Sequence, residues 1–247
     1  MNFLKIFILF FSCFSFNLFG HNPEDFIIAE IEQGQILLED EQIAEEYSDA
    51  VKRLRIRRLS AMSFQKKFLI FIKAGFDHII PKGLDHILFV LGLFFSCIYL
   101  RQLLLQVTAF TIAHSVTLIL ASQGIINIKA SIVEPLIALS IVWIAIENCV
   151  FKKPKRWRWL IVFIFGLLHG LGFASVLSYY GLPKENFLSL LLSFNIGVEL
   201  GQISVLLITF LLLKLILKEN WKNKKLRTII SIMIAGVGIF WFLERVI

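Results

Sequence analysis

Residues 187–213 read FLSLLLSFNIGVELGQISVLLITFLLL, with Glu199 as the one charged side chain. A helix needs roughly 17–25 apolar residues to cross the hydrocarbon core of a bilayer. This run meets that length, and it decides the fold. Runs of the same kind lie near 84–100, 102–122, 131–151, 158–180 and 227–244. The connections between them are short, such as Arg101-Gln102, Ser122-Gln123-Gly124 and Gly181-Leu182-Pro183. The body of the chain, residues 83–247, is therefore expected to be an all-α polytopic membrane bundle of six transmembrane helices.

The whole composition agrees. Of 247 residues, 57% are apolar and 17% charged, against roughly 45–50% and about 25% in soluble domains. Mean hydropathy is +0.79. These values exclude an ordinary soluble globule, a disordered chain and a disulfide scaffold. Cys13, Cys97 and Cys149 lie in apolar runs without CxxC spacing and read as small hydrophobes. The net charge is +7, but it is gathered in loops, which speaks for topology and against nucleic acid. Residues 152–158 carry five Lys or Arg, and residues 218–227 carry five more. The positive-inside rule makes these loops cytoplasmic. Both ends of the six-helix body then face outward.

The N-terminal residues fit that orientation. Residues 1–20, MNFLKIFILFFSCFSFNLFG, have the layout of a signal peptide or signal anchor. Residues 21–82 are expected as a short extracytoplasmic segment. From Glu24 to Asp49 there are ten acidic residues and no basic ones; then come Lys52, Arg53, Arg55, Arg57 and Arg58. An amphipathic interfacial helix is expected near 64–79. The basic cluster, with Lys66, Lys67 and Lys73, runs against the rule on that outer side. Either the acidic stretch before it offsets the charge or these basic residues bind lipid headgroups. The location implied is the cytoplasmic (inner) membrane of a bacterium.

Ionisable residues are costly inside a membrane and mark function by default. His78 precedes the first span and Asp85 and His86 begin it. His114 lies in the second span and His169 in the fourth. Glu134 and Glu147 lie in the third. Asn195, Glu199 and Gln202 are spaced i, i+4, i+7 and form one stripe on the fifth. Gly166 and Gly170 flank His169 and permit close helix approach beside it. Pro81-Lys82-Gly83 breaks the chain between His78 and Asp85, so His78 can fold back over the start of the first span. Imidazoles with a carboxylate are a ligand set for Zn, Ni, Co, Fe or Cu. The metal set is thus expected to be His78, Asp85, His86, His114 and His169. Glu134, Glu147, Asn195, Glu199 and Gln202 are expected to support it or line the path. Each residue alone has a plainer reading: a histidine in a helix interface, a glutamate solvated at a helix end, an amide bridging two helices.

Five blocks carry a family resemblance: HIIPKGLDHILF (78–89), FTIAHSVTL (110–118), VEPLIALSIVWIAIEN (133–148), FGLLHGLGFA (165–174) and FNIGVELGQ (194–202). Together they resemble the second branch of the HupE/UreJ membrane proteins over roughly residues 74–245. The resemblance implies a small polytopic protein related to nickel permeases that accompany hydrogenase or urease. It implies that His78, Asp85 and His86 capture the metal and that His169 is the first histidine of a second signature. Those permeases usually have a further histidine shortly after it; this chain reads HGLGFA (169–174) there and has none, and His114 is the replacement expected.

The function expected first is a divalent transition-metal permease of nickel/cobalt type, or a metal-binding membrane protein, with a site open to the outer face. There is no phosphate-binding GxxxxGK[ST] loop, so the membrane potential, a proton gradient or trapping would drive the ion. Two other functions fit the same residues. One is an intramembrane zinc-dependent hydrolase, although HExxH and GxSxG are both absent. The other is a non-enzymatic membrane partner in metalloenzyme maturation or membrane assembly. The partners expected are the lipid bilayer, the metal ion, and a second copy of the chain or a metalloenzyme maturation protein.

Overall fold

The computed structural model describes residues 41–96, 99–151, 157–173, 185–217 and 223–247. The expected signal segment 1–20 and most of the acidic stretch lie outside these residues, as do Cys13 and Cys97. The chain from Ala44 onward forms one compact unit. Secondary structure is helical throughout the described residues: α1 (Glu41–Ser60), α2 (Phe64–Ile79), α3 (Leu84–Ser96), α4 (Leu100–Ser122), α5 (Ala130–Val150), α6 (Arg158–Gly172), α7 (Phe187–Leu217) and α8 (Lys224–Val246).

α3 is the hub. It is apolar on every side, and every residue from Leu88 to Ser96 is buried. A helix that is hydrophobic all round belongs inside other helices. Around it stand three closely packed pairs, α2 with α7, α4 with α6, and α5 with α8. Each pair is brought close by glycine. Between α2 and α7, a Cβ on Gly75 would strike the Phe194 backbone, and one on Gly197 would strike Ile72. Between α4 and α6, Gly166 lies against Phe110 and Ala113, and Gly170 against Thr117 and His114. Thr117 Oγ1 also donates to the Leu167 carbonyl at 2.8 Å and ties α4 to α6. Gly238 meets Val142 and Ala138 where α8 crosses α5. Small residues at such crossings let helix backbones pack where no hydrophobic gain is to be had between helices.

The outward faces are apolar as well. On α7, Leu188, Leu192, Ile196, Leu200, Leu207 and Leu211 are all exposed, while Asn195 and Gln202 are buried. This chain is a membrane protein: its polar stripe is turned inward and its aliphatic stripe outward. α4, α5, α7 and α8 are each long and apolar enough to cross a bilayer. α2 and α3 pass the same test together, bent by 71° at the break between them. The described residues therefore carry four spans, or five with the bent pair counted as one. The expected span at 158–180 is described only as far as Phe173, and α6 has 15 residues.

The helix expected at 64–79 forms there as α2. Its buried residues Lys67, Phe71, Gly75 and Ile79 recur every four positions, and that face lies along α7. The break that follows is local: Ile80–Pro81 is cis, and α3 restarts at Leu84 beyond Gly83. The chain thus turns between His78 and Asp85, at the expected proline and glycine.

Candidate metal centre

The site is assembled where α2 breaks. His78 is in the last turn of α2 and His86 in the first turn of α3. His114 comes from α4 and His169 from the last turn of α6. The ring centroids of His78 and His86 are 4.8 Å apart, those of His86 and His114 5.6 Å, and those of His86 and His169 4.9 Å. His86 is thus the centre, and the other three surround it. One ligand nitrogen from each of His78, His86 and His114 can be chosen so that all lie within 4.8 Å of one another. A single ion placed among such atoms is within reach of all three after small side-chain adjustments.

The hydrogen bonds fix how these rings point. Asp85 Oδ1 accepts from His86 Nδ1 at 2.9 Å and from the His86 backbone N–H at 2.8 Å. Asn195 Oδ1 faces His114 Nδ1 at 3.4 Å, and the Asn195 amide nitrogen donates to the Leu191 carbonyl, which orients the amide. His169 Nδ1 donates to the Phe165 carbonyl one turn back, at 2.8 Å. In these three rings Nδ1 meets an oxygen acceptor, so the neutral ring carries its proton there and Nε2 holds a bare lone pair. The Nε2 atoms of His78, His86, His114 and His169 are all buried without a hydrogen-bond partner. Buried polar atoms are nearly always satisfied. Of these, His78, His86 and His114 form a group that could hold a metal ion. An imidazole whose other nitrogen is held by a carboxylate or carbonyl is the usual arrangement of a ligating histidine. Packing alone accounts for a buried ring but not for this shared orphaning.

The walls are aromatic. Phe110 and Phe89 lie edge-on or tilted against His86 and His169. Phe173 sits 3.9 Å from the His78 ring, centroid to centroid, and stacks on Phe194. Such walls exclude water and strengthen any charge interaction inside them. Counting 1.5 Å per residue, His169 stands about 16 Å from the start of α6, and His86 about 15 Å from the end of α3. Each distance is about half of a hydrocarbon core of about 30 Å.

The other residues singled out from the sequence fall into two groups. Asn195 reaches the cluster through His114. Gln202 and Glu199 instead bond across to α4: Thr111 Oγ1 lies 3.0 Å from Gln202 Oε1, and Thr108 Oγ1 donates to Glu199 at 2.6 Å. Glu134 approaches Arg245 at 4.0 Å, and Glu147 pairs with buried Arg158 at 3.5 Å. Nothing in the sequence marks either arginine as a partner, because each sits next to a chain end or loop and reads as a topology charge. The Phe173–Phe194 wall is equally hidden there, since 25 phenylalanines leave no single ring conspicuous. A Cβ at Gly172 would meet Ile137 Cδ1 at 2.8 Å, so a side chain at that position starts out toward α5.

A family model described as HupE / UreJ protein matches residues 53–245. No curated protein and no solved structure matches the chain.

Proposed function

The chain belongs to the HupE/UreJ family, and from that premise we propose that it is a divalent transition-metal permease of nickel/cobalt type. The observation that carries the reading is the set of buried, unpartnered Nε2 atoms on His78, His86, His114 and His169. His78, His86 and His114 bind the ion. Asp85 holds the His86 ring and supplies the negative charge that a buried divalent ion needs. His169 takes the ion next, across His86. Imidazole ligands suit Ni, Co and Zn alike, and their binding is coupled to protonation, which provides for release. The protein is placed in the cytoplasmic membrane, with the basic loops inside and the C-terminus outside.

The test is metal content of the detergent-purified protein by mass spectrometry, before and after EDTA, beside a His86→Ala, His114→Ala double variant. The expected result is about one ion per chain after loading, removed by EDTA and missing from the variant. Cells carrying the variant should also lose radiotracer nickel or cobalt uptake. Stoichiometric zinc that resists EDTA would replace this reading with the hydrolase, since a histidine held by a carboxylate also serves catalytic zinc. No metal in either protein would leave a membrane partner without a metal site.

A further inference from the structure

Carboxylates inside a bilayer are costly and need partners. Helices α2 to α8 carry six: Asp77, Asp85, Glu134, Glu147, Glu199 and Glu244. Five of them have an evident place for a negative charge. Asp77 pairs with Lys73, Glu134 with Arg245 and Glu147 with Arg158. Asp85 accepts from two N–H groups of His86. Glu244 is exposed at the end of α8. Ammonium, guanidinium and N–H groups only donate, so these contacts suit an ionised carboxylate.

Glu199 differs. Counting 1.5 Å per residue, it lies about 18 Å from the start of α7 and about 27 Å from its end, well inside the span. Among the described residues its one hydrogen-bond or ion-pair partner is Thr108, whose Oγ1 is 2.6 Å from Glu199 Oε1. A hydroxyl donates to a carboxylate and, turned about its C–O bond, accepts from a carboxyl. The contact serves both states and requires a charge in neither. Helices α2, α3 and α4 pack on α7. They bring Lys67 and His78, Asp85 and His86, and His114 into the bundle, and none of these pairs with Glu199. The carboxyl is nevertheless close to the histidines. Asn195, one turn earlier on α7, meets His114, and Thr108 lies less than two turns before His114 on α4. Charges act strongly over such distances in a low-dielectric bundle. An ion in the cluster favours the ionised form of Glu199, and a proton on Glu199 favours departure of the ion.

We propose that Glu199 is the proton-exchanging group of the transport cycle, protonated while the histidine cluster is empty and ionised while it holds the ion. The proton leaves to water as the ion arrives and returns from water as the ion departs. Thr108 accommodates both states without a change of partner. The proposal rests on the permease reading for its ion, and it gives that permease a proton gradient as driving force.

Proton release during cobalt(II) loading of the full-length protein, read with a pH indicator in weakly buffered detergent solution, tests this. The wild type should release about one proton more per ion than Glu199→Gln. That variant keeps an amide able to bond Thr108 and should still bind the ion. Its affinity for cobalt(II) should fall less steeply than the wild type's as pH falls. The second arm needs no variant. Dicyclohexylcarbodiimide couples to protonated carboxyl groups in apolar surroundings, and peptide mass spectrometry locates the adduct. It should modify Glu199 in the metal-free protein, and about tenfold more slowly once cobalt(II) is bound. Equal proton release from wild type and variant, or a Glu199 that does not react or reacts alike with and without bound cobalt(II), would overturn the proposal. Loss of cobalt(II) binding in Glu199→Gln alone would make the carboxylate a ligand and overturn it too. A wild type that binds no cobalt(II) would overturn the reading of the histidine cluster, and the carbodiimide reaction of the metal-free protein would then decide by itself whether Glu199 carries a proton.

Discussion

At His86 two constraints meet. Its Nδ1 is bound to Asp85, and its Nε2 is buried without a hydrogen-bond partner in a ring that neighbours three other imidazoles. The carboxylate fixes the tautomer and makes the ring a stronger ligand. Replacing Asp85 with Ala leaves His86 free to turn and strips the site of its negative charge. Metal affinity should fall by about 10–100-fold, the usual cost of losing such a partner. Competition against a chromophoric chelator measures it. Asn195→Ala should cost less, because the 3.4 Å contact to His114 is long and joins two neutral groups. The pairing of Asp85 with His86 was legible in the sequence because the two are adjacent at the start of an apolar run. The partnership of Asn195 with His114 was not. The two are 81 positions apart, and only the α4–α7 packing brings them together.

Of the helices, α6 places His169 and has little room for change beside it. Gly170 is adjacent to that histidine, and a Cβ there would run into Thr117 and the His114 carbonyl. Gly170→Val should push α6 off α4 and separate His169 from His86. The expected outcome is lost metal binding with helical circular dichroism retained, and a melting temperature lowered by several degrees. Gly236, with nothing near it, is the control: Gly236→Val should change neither. The glycine spacing on α6 pointed to close packing from the sequence alone. The pairing of α2 with α7 did not show there. α2 has an amphipathic pattern that reads as an interfacial helix, and hydropathy does not distinguish a face laid on lipid headgroups from one laid on Gly197 and Gly201. The break between α2 and α3 was legible in Pro81-Lys82-Gly83; its angle of 71° was not.

Three helix pairs enclose one short apolar helix, and the break before that helix creates the site. In membrane proteins, irregular backbone at mid-depth is tolerated where it lines a polar centre, and it marks binding sites in transporters. The class of fold was legible because lipid imposes long apolar helices and little else. The arginine partners of Glu134 and Glu147 were not legible, since a basic residue at a helix end serves topology and ion pairing with the same letter. Everything proposed for the histidines rests on their converging on one ion. X-ray absorption at the nickel K edge, on protein loaded with one equivalent, shows the ligands of that ion. Outer-shell scattering from three imidazole rings is expected, falling to two in His114→Ala. A first shell of oxygen alone, unchanged by that substitution, would mean that the histidines do not hold the metal.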